Sequence, residues 1–414
     1  MQMSVPPSDH ERALAFDIQS INQVFLDDPF PTYKLLREHD PVHLNPDGTY
    51  FLTRYEDVVK AFRDPAMSSD KRVDFKPKFG DGPLYLHHTT SLVFNDDPYH
   101  ARVRKLMSEA FTPRKMDELD PVIEGIVERL LDRLKELKEF DVVHDFGLAL
   151  PTEIIADMLG VPEQYRSKMH HYSTLILGAL DPIVSPEKLK AGHEAVNEFG
   201  ELLEELIAKR RKTPHGAEMG EVLVSLIFGE ADGRKLSPVE LVQNCIFLLN
   251  AGHETTASLV SNGIGTLLEF PDQLQRLRKN PDLIKTAVEE FLRFQSPLQI
   301  GNRKATEDVV FGPEDNRKSI PAGSFIHTCV GAANRDPEIF EDPETVNIGR
   351  KPNPQIAFGM GRHICMGNTL GRIEGHTAIG KFVERFPNLR QNGEKRFHGR
   401  ARFRGLALLP VAVS

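Results

Sequence analysis

The chain has 414 residues, 40% of them hydrophobic, which is ample for a large buried core. A formal net charge of −9 argues against a general nucleic-acid binder, and no run of about 18 apolar residues is present to form a membrane span. Three cysteines (Cys245, Cys329, Cys365) are too few for a disulfide framework and too far apart for a Cys-x-x-Cys zinc or redox site, which fits a reducing, cytoplasmic setting. The opening "MQMSVPPSDHERALAFD" lacks a basic stretch followed by an apolar core, so it does not read as a secretory leader.

In chain order, "VHLNPDGTYFL" at 42–52 predicts a hairpin, two apolar-alternating runs about a Pro-Asp-Gly turn. "DPYHARVRKLMSEAF" from Asp97 predicts a helix with an aspartate cap and proline at its first position. "SPEKLKAGHEAVNEFGELLEELIAKRRK" from Ser185 predicts another, capped by serine. Leu241 to Phe270 is apolar nearly all round and predicts a buried central helix. Its middle, Asn250-Ala251-Gly252-His253-Glu254-Thr255-Thr256, is polar, and a local break opened by Gly252 and a threonine hydroxyl is expected there. An ordinary kink with incidental polar residues is the competing reading.

The helix from Asp282 to Pro297 places Ile284, Ala287, Val288 and Phe291 on one apolar face, with Glu290 and Arg293 adjacent. A strand-rich patch follows at 308–331. Then comes "IAFGMGRHICMG", Ile356 to Gly367, opening a helix at or just after Cys365. Helix N-termini carry unpaired N–H groups that favour a thiolate. Glycines 359, 361 and 367 allow close backbone approach, and His363 is a ready donor to an anion. On the residues alone Cys365 is a nucleophile, a metal ligand or a small buried hydrophobe.

Together these pieces resemble the cytochromes P-450. The haem signature F-G-x-G-x-H-x-C-x-G is matched at every fixed position from Phe358 to Gly367. The E-x-x-R of that family corresponds to Glu290 and Arg293, and [AG]-G-x-[DE]-T-T to Ala251 through Thr256. "AANRDPEIFEDPETVNIGR" resembles the segment before the haem loop, with Arg350 as third member of the Glu–Arg cluster; "RGLALLPV" resembles the family's C-terminus. Gln355 and Gly371 depart mildly, where histidine and alanine are common.

The resemblance implies a mainly α fold with small β-sheets, the triangular helical prism, as a single haem domain over 1–414. The β-rich portion is expected at roughly 40–60 and 300–335. It implies haem b held by Cys365 as iron ligand, with Phe358, Gly359 and Gly367 in its loop. His100, Arg104, Arg303 and His363 match positions that hold the propionates, and Ala251 and Gly252 match positions on the cofactor's other side. Glu254 and Thr255 match the acid–alcohol pair that delivers protons; Glu290, Arg293 and Arg350 are structural.

The expected activity is insertion of one oxygen atom of O2 into a small lipophilic substrate, a terpenoid, fatty acid or aromatic compound. Candidate pocket residues are Leu86 and His88, in a loop, and Phe247, Asn250, Leu298 and Ile300. Asn250 either anchors a polar substrate group or bonds within its own helix. The chain ends just after the haem region, so electrons are expected from a separate ferredoxin and ferredoxin reductase with NAD(P)H. Arg102, Lys105, Arg114, Lys115 and Arg362 are a candidate docking face on a monomeric protein. The rivals are a peroxide-driven peroxygenase, a haem-thiolate sensor and a cysteine hydrolase. The first two need no acid–alcohol pair, and nothing in the sequence places a base for the third.

Overall fold

The structure, a computed structural model, describes residues 7–212, 221–231 and 233–413. The first six residues of the segment read as lacking a leader lie outside them. A 32-residue helix, Pro238–Glu269, is the axis of the molecule. Ser237 caps it through the Glu240 backbone N–H while the Glu240 carboxylate returns to the Ser237 N–H, so two otherwise unpaired donors are satisfied. It packs against the helices Pro83–Thr90, Ala149–Leu159, Glu163–Gly178, Pro186–Lys212, Ile284–Phe294 and Asn368–Arg385. That all-round packing explains its apolar circumference.

The expected break at Gly252 is absent: the helix runs as α-helix from end to end. Gly252 serves close packing instead, since a Cβ there would sit 2.6 Å from Ile155 Cδ1 on the neighbouring helix. The Thr255 hydroxyl donates to the Ala251 carbonyl at 2.7 Å without opening the ladder.

A five-stranded sheet has the order Val42–Leu44, Tyr50–Leu52, Phe325–Cys329, Ile300–Ala305, Met67–Ser68. The first two form the expected hairpin; the pairing of Tyr50–Leu52 with Phe325–Cys329 is parallel and the others antiparallel. Short strands also occur at Glu139–Asp141, Arg390–Gln391, Arg396–Phe397, Leu406–Leu408 and Pro410–Ala412, outside the expected β-rich segments. Two or three residues are too few to display an alternating pattern. The segment holding Leu86 and His88 is not a loop but the helix Pro83–Thr90, started by its proline. The helix after Asp97 begins at Tyr99, so Pro98 precedes it, and Asp97 caps by accepting the Ala101 N–H at 3.0 Å.

The apolar interior divides in three. The largest cluster surrounds the central helix, a second lies under the five-stranded sheet, and a third joins Phe25, Phe30, Tyr33 and Leu36 to Phe51, Ile300 and Cys329. The interior also holds a buried ionic cluster. Glu290 accepts Arg293 Nε and Nη2 side-on at 2.8 Å, the Asn347 N–H at 2.9 Å and Arg350 Nε at 3.1 Å. Arg293 also reaches the carbonyls of Asn334, Pro343 and Thr345. Every donor is used, which is what allows a fully buried charge pair to persist. Among the described residues no helix is long and apolar enough to cross a membrane.

Candidate active site

The loop before the Asn368–Arg385 helix is folded by its own backbone. Gly359 N–H donates to Ile356 O and Cys365 N–H to Phe358 O, both at 2.9 Å. Gly359 and Gly361 sit at φ +68° and +69°, where L-residues are strained, and a Cβ on Gly361 would lie 2.4 Å from the Phe62 carbonyl oxygen. Arg372 stacks on the Phe358 ring at 4.5 Å and pairs with Glu289, fixing the phenyl group beside the loop. Gln355 also bonds Glu289, and a side chain at Gly371 would make only ordinary contact with Phe358.

Cys365 is the one accessible thiol; Cys245 and Cys329 are buried. Its pKa is nonetheless raised, by surrounding protein above all, with the Gly367 N–H, Arg104 and Arg372 opposing. The helix opens just after the cysteine, at Asn368, and the Gly367 N–H favours the thiolate against the desolvating surroundings.

Beside the loop, side chains from three distant segments converge. His100 and His363 lie with ring centroids 4.0 Å apart. Arg104 donates to the Ile364 carbonyl at 2.8 Å, and Arg303 lies over the Phe62 ring at 5.0 Å. Burial, then Arg303, His100, Arg362 and Arg104, push His363 down to about 2, so it is a neutral imidazole. His100 Nδ1 faces Asp97 Oδ1 at 3.2 Å, but the Nε2 atoms of both histidines are buried without a partner. The nearby Asp96 is occupied by the Ser69 N–H and the Ser68 hydroxyl. His363 Nε2 as an N–H, and His100 Nε2 once that ring is protonated between Asp97 and a second carboxylate, are suited beside the arginines to a group with more than one carboxylate.

On the central helix Ala251 is exposed and Thr255 half-buried, while Glu254 is 3% exposed. Burial would raise the Glu254 carboxyl, yet Arg400, with His398, His253 and His170, holds it below the ordinary range. Arg400 Nη2 donates to Oε1, His398 Nε2 stands 4.0 Å from that oxygen, and Oε2 is buried with no partner. Arg400 and His398 were not legible beforehand; "FHGRARFRG" reads only as a basic stretch.

Asn250 bonds neither within its own helix nor to solvent. Its Nδ2 meets His87 Nε2 at 3.2 Å, and His87 Nδ1 meets Gln243 Oε1 at 3.2 Å. Burial lowers His87 to about 4, so it is neutral: it donates to Gln243, accepts from Asn250, and leaves Asn250 Oδ1 buried and bare. Phe247 is half-buried against the main core, Leu86 is exposed, and Leu298 is half-buried and bridged to Phe403. Two other expected pocket residues are enclosed by protein. Ile300 is buried in the N-terminal cluster, because the alternation of its strand turns it to the far face. His88 is packed among Phe75, Phe79 and Phe94. Of the candidate docking face, Arg102 is paired with Glu240, and the exposed Arg114 and Lys115 with Glu118.

A mostly helical protein whose glycine-rich loop presents one accessible cysteine next to bare imidazoles is of the haem-thiolate class in its fold and donor set. The Cytochrome P450 family model matches residues 37–399. The chain is 35% identical over 395 residues to the biotin biosynthesis cytochrome P450 of Bacillus subtilis, covering 94% of this chain and 96% of that one. It is 35% identical over 396 residues to the vitamin D(3) 25-hydroxylase of Pseudonocardia autotrophica, covering 94% of each. The crystal structure of P450BioI in complex with acyl carrier protein ligated to hexadec-9Z-enoic acid superposes at a TM-score of 0.88 and 34% identity, covering 94% of this chain and 100% of that one. The chain belongs to the cytochrome P450 family. It is a monooxygenase whose cofactor is haem b, and the bare Nε2 atoms of His100 and His363 beside two arginines fit that cofactor's paired carboxylates.

Proposed function

We propose that the chain hydroxylates a small lipophilic substrate with O2, using Cys365 as the haem-iron ligand. The observation that carries this is the convergence of the cysteine loop with His100, Arg104, Arg303 and His363 at its side. Phe358, Gly359 and Gly367 would hold the haem through the loop of Cys365, His100, Arg104, Arg303 and His363 would hold its propionates, and Ala251 and Gly252 would contribute from the central helix. When bound, the haem supplies activation of O2 and transfer of one oxygen atom.

The remaining chemistry belongs to the protein. Thr255, its hydroxyl hydrogen-bonded to Ala251 O, can rotate to present a proton into the site. Glu254, with one oxygen on Arg400 and the other free, passes protons inward from the His398 side. Asn250 Oδ1 offers one acceptor to a donor group on the substrate. Electrons come from a separate ferredoxin and its NAD(P)H-dependent reductase, in a cytoplasmic setting. The relatives named for a vitamin D(3) hydroxylase and complexed with a fatty-acyl carrier protein support a lipophilic substrate class, a terpenoid, fatty acid or aromatic compound.

The test is the reduced carbon monoxide spectrum of the purified protein and its Cys365→Ser variant. The wild type should show the red-shifted Soret band of thiolate ligation and the variant should lose it. An unshifted band in the wild type would overturn the ligand assignment. Product formed from hydrogen peroxide as fast as from O2 and reductant would favour a peroxygenase.

A further inference from the structure

A second group of cations, Lys71, Lys78, Lys304 and Arg402, lies around the Arg72–Phe79 helix, and neither proton delivery nor the haem donor set uses it. Lys71 precedes that helix and is wholly buried. Its Nζ has no hydrogen-bond partner and stands 5.0 Å from the Phe325 ring centroid. Arg402 is also buried: Nη1 donates to Ile300 O at 3.3 Å, and Nε has no partner. Two half-buried lysines flank them. Lys78 donates to the Asp181 backbone carbonyl at 2.6 Å, and Lys304 to Asp74 Oδ1 at 2.8 Å.

The acids in reach do not balance these charges. Asp74 is occupied by Lys304, and Asp181 Oδ1 accepts the Arg402 backbone N–H at 3.3 Å. Four cations thus face Asp74 and Asp181; Asp70, also in reach of Lys71, is paired with Arg72, and Arg303 adds to the excess. Two histidines complete the wall, His88 and His327, both neutral through burial, with His88 Nε2 and His327 Nδ1 buried and bare. Phe75, Phe79 and Phe94 enclose His88, so the surroundings are apolar as well as cationic. Burying an ammonium without a partner is strongly unfavourable, and Lys71 answers partly by titrating at about 7, through burial first, with Asp74 opposing and Arg303, Arg402 and Lys304 reinforcing. An anion would remove the penalty.

We propose that Lys71 and Arg402 bind the carboxylate of an amphipathic acid, so that the substrate is a lipophile with a carboxylate at one end. A monoanion fits the two bare donors, Lys71 Nζ and Arg402 Nε, and the aromatic wall suits its apolar body. This rests on the monooxygenase reading and selects within its lipophilic substrates.

The test compares dodecanoic acid with its methyl ester on the haem-loaded protein, by calorimetry and by spin-state titration, at about pH 6 and about pH 8.5. The acid should bind about tenfold tighter than the ester at the lower pH, and the preference should shrink at the higher pH as Lys71 loses its proton. Lys71→Met should abolish the preference and leave ester affinity unchanged; Lys71→Arg should keep it and remove its pH dependence. Equal affinities for acid and ester in the wild type would overturn the proposal, as would an intact preference in Lys71→Met. Loss of haem from Lys71→Met with an unchanged acid-to-ester ratio would also overturn it, assigning the lysine to the cofactor. A missing thiolate spectrum would instead sink the monooxygenase reading, while calorimetry would still decide the anion site.

Discussion

Thr255 and Glu254 are neighbours in sequence with different surroundings. The threonine hydroxyl is half-exposed and has only a backbone acceptor, whereas the carboxylate is buried and tied to Arg400. Removing the hydroxyl should therefore spare cofactor binding and damage only proton delivery. Thr255→Ala is expected to keep its Soret spectrum, consume NAD(P)H at a comparable rate and divert most of it to hydrogen peroxide; product counted per reductant checks this. Normal coupling would remove Thr255 from the mechanism. The next residue points to a different acid. Glu374, wholly enclosed and hydrogen-bonded by Thr256, is pushed by burial up to about 8. Its folded pKa lies above its unfolded one, so the native state holds a proton that the unfolded chain has released between about pH 4.5 and pH 8. Stability from this group is full below that window and is lost as pH rises through it. Glu374→Gln is expected to flatten the decline of Tm between pH 5 and pH 8 and to raise Tm at the upper end. An unchanged slope would show that the carboxyl is ionised in the fold.

At the scale of elements, the long amphipathic segments were readable because periodicity, capping residues and turn chemistry agree. The central helix, the hairpin at 42–52 and the Ile284–Phe294 helix all stand where their patterns place them. Three things were not readable. Helix Pro83–Thr90 has almost no amphipathic contrast: its apolar and polar residues interleave, and its position is decided by packing against the central helix. The C-terminal strands are too short to alternate. Gly252 looked like a breaker because propensity says so, yet its missing Cβ is used for contact with Ile155. In the site the haem-loop signature led directly to Cys365 and His363, since local backbone geometry needs those glycines. Arg400, His87 and Gln243 were missed because their relations span from 146 to 163 residues of chain and leave no local trace. The Gly252 contact has a measurable consequence. Gly252→Val should force Ile155 aside and cost about 1–3 kcal/mol in chemical denaturation, while Gly252→Ala should cost less. Equal stability of all three would mean the two helices separate freely.

Over the whole molecule, the candidate cofactor site is assembled from parts that the chain keeps far apart. His100 and Arg104 come from Tyr99–Ser108, Arg303 from the strand Ile300–Ala305, and His363 and Cys365 from the loop before Asn368. Asp96 and Asp97 offset part of the positive charge there, and an anion held among the arginines would offset the rest. The Glu290–Arg293–Arg350 cluster, by contrast, satisfies itself with protein groups alone. Removing haem should therefore loosen the molecule unevenly. Tm is expected to fall by several degrees, and amide exchange to quicken in Tyr99–Ser108, in Ile300–Ala305 and in the loop from Phe358 to Gly367. Protection in Ile284–Phe294 should persist. Breaking the self-satisfied cluster should do the reverse: Glu290→Ala strands Arg293 in the interior and is expected to cost about 3–5 kcal/mol even with haem bound. Uniform loss of protection on haem removal would show that cofactor and core form one cooperative unit, so that His100, Arg104, Arg303 and His363 contribute to folding as much as to binding.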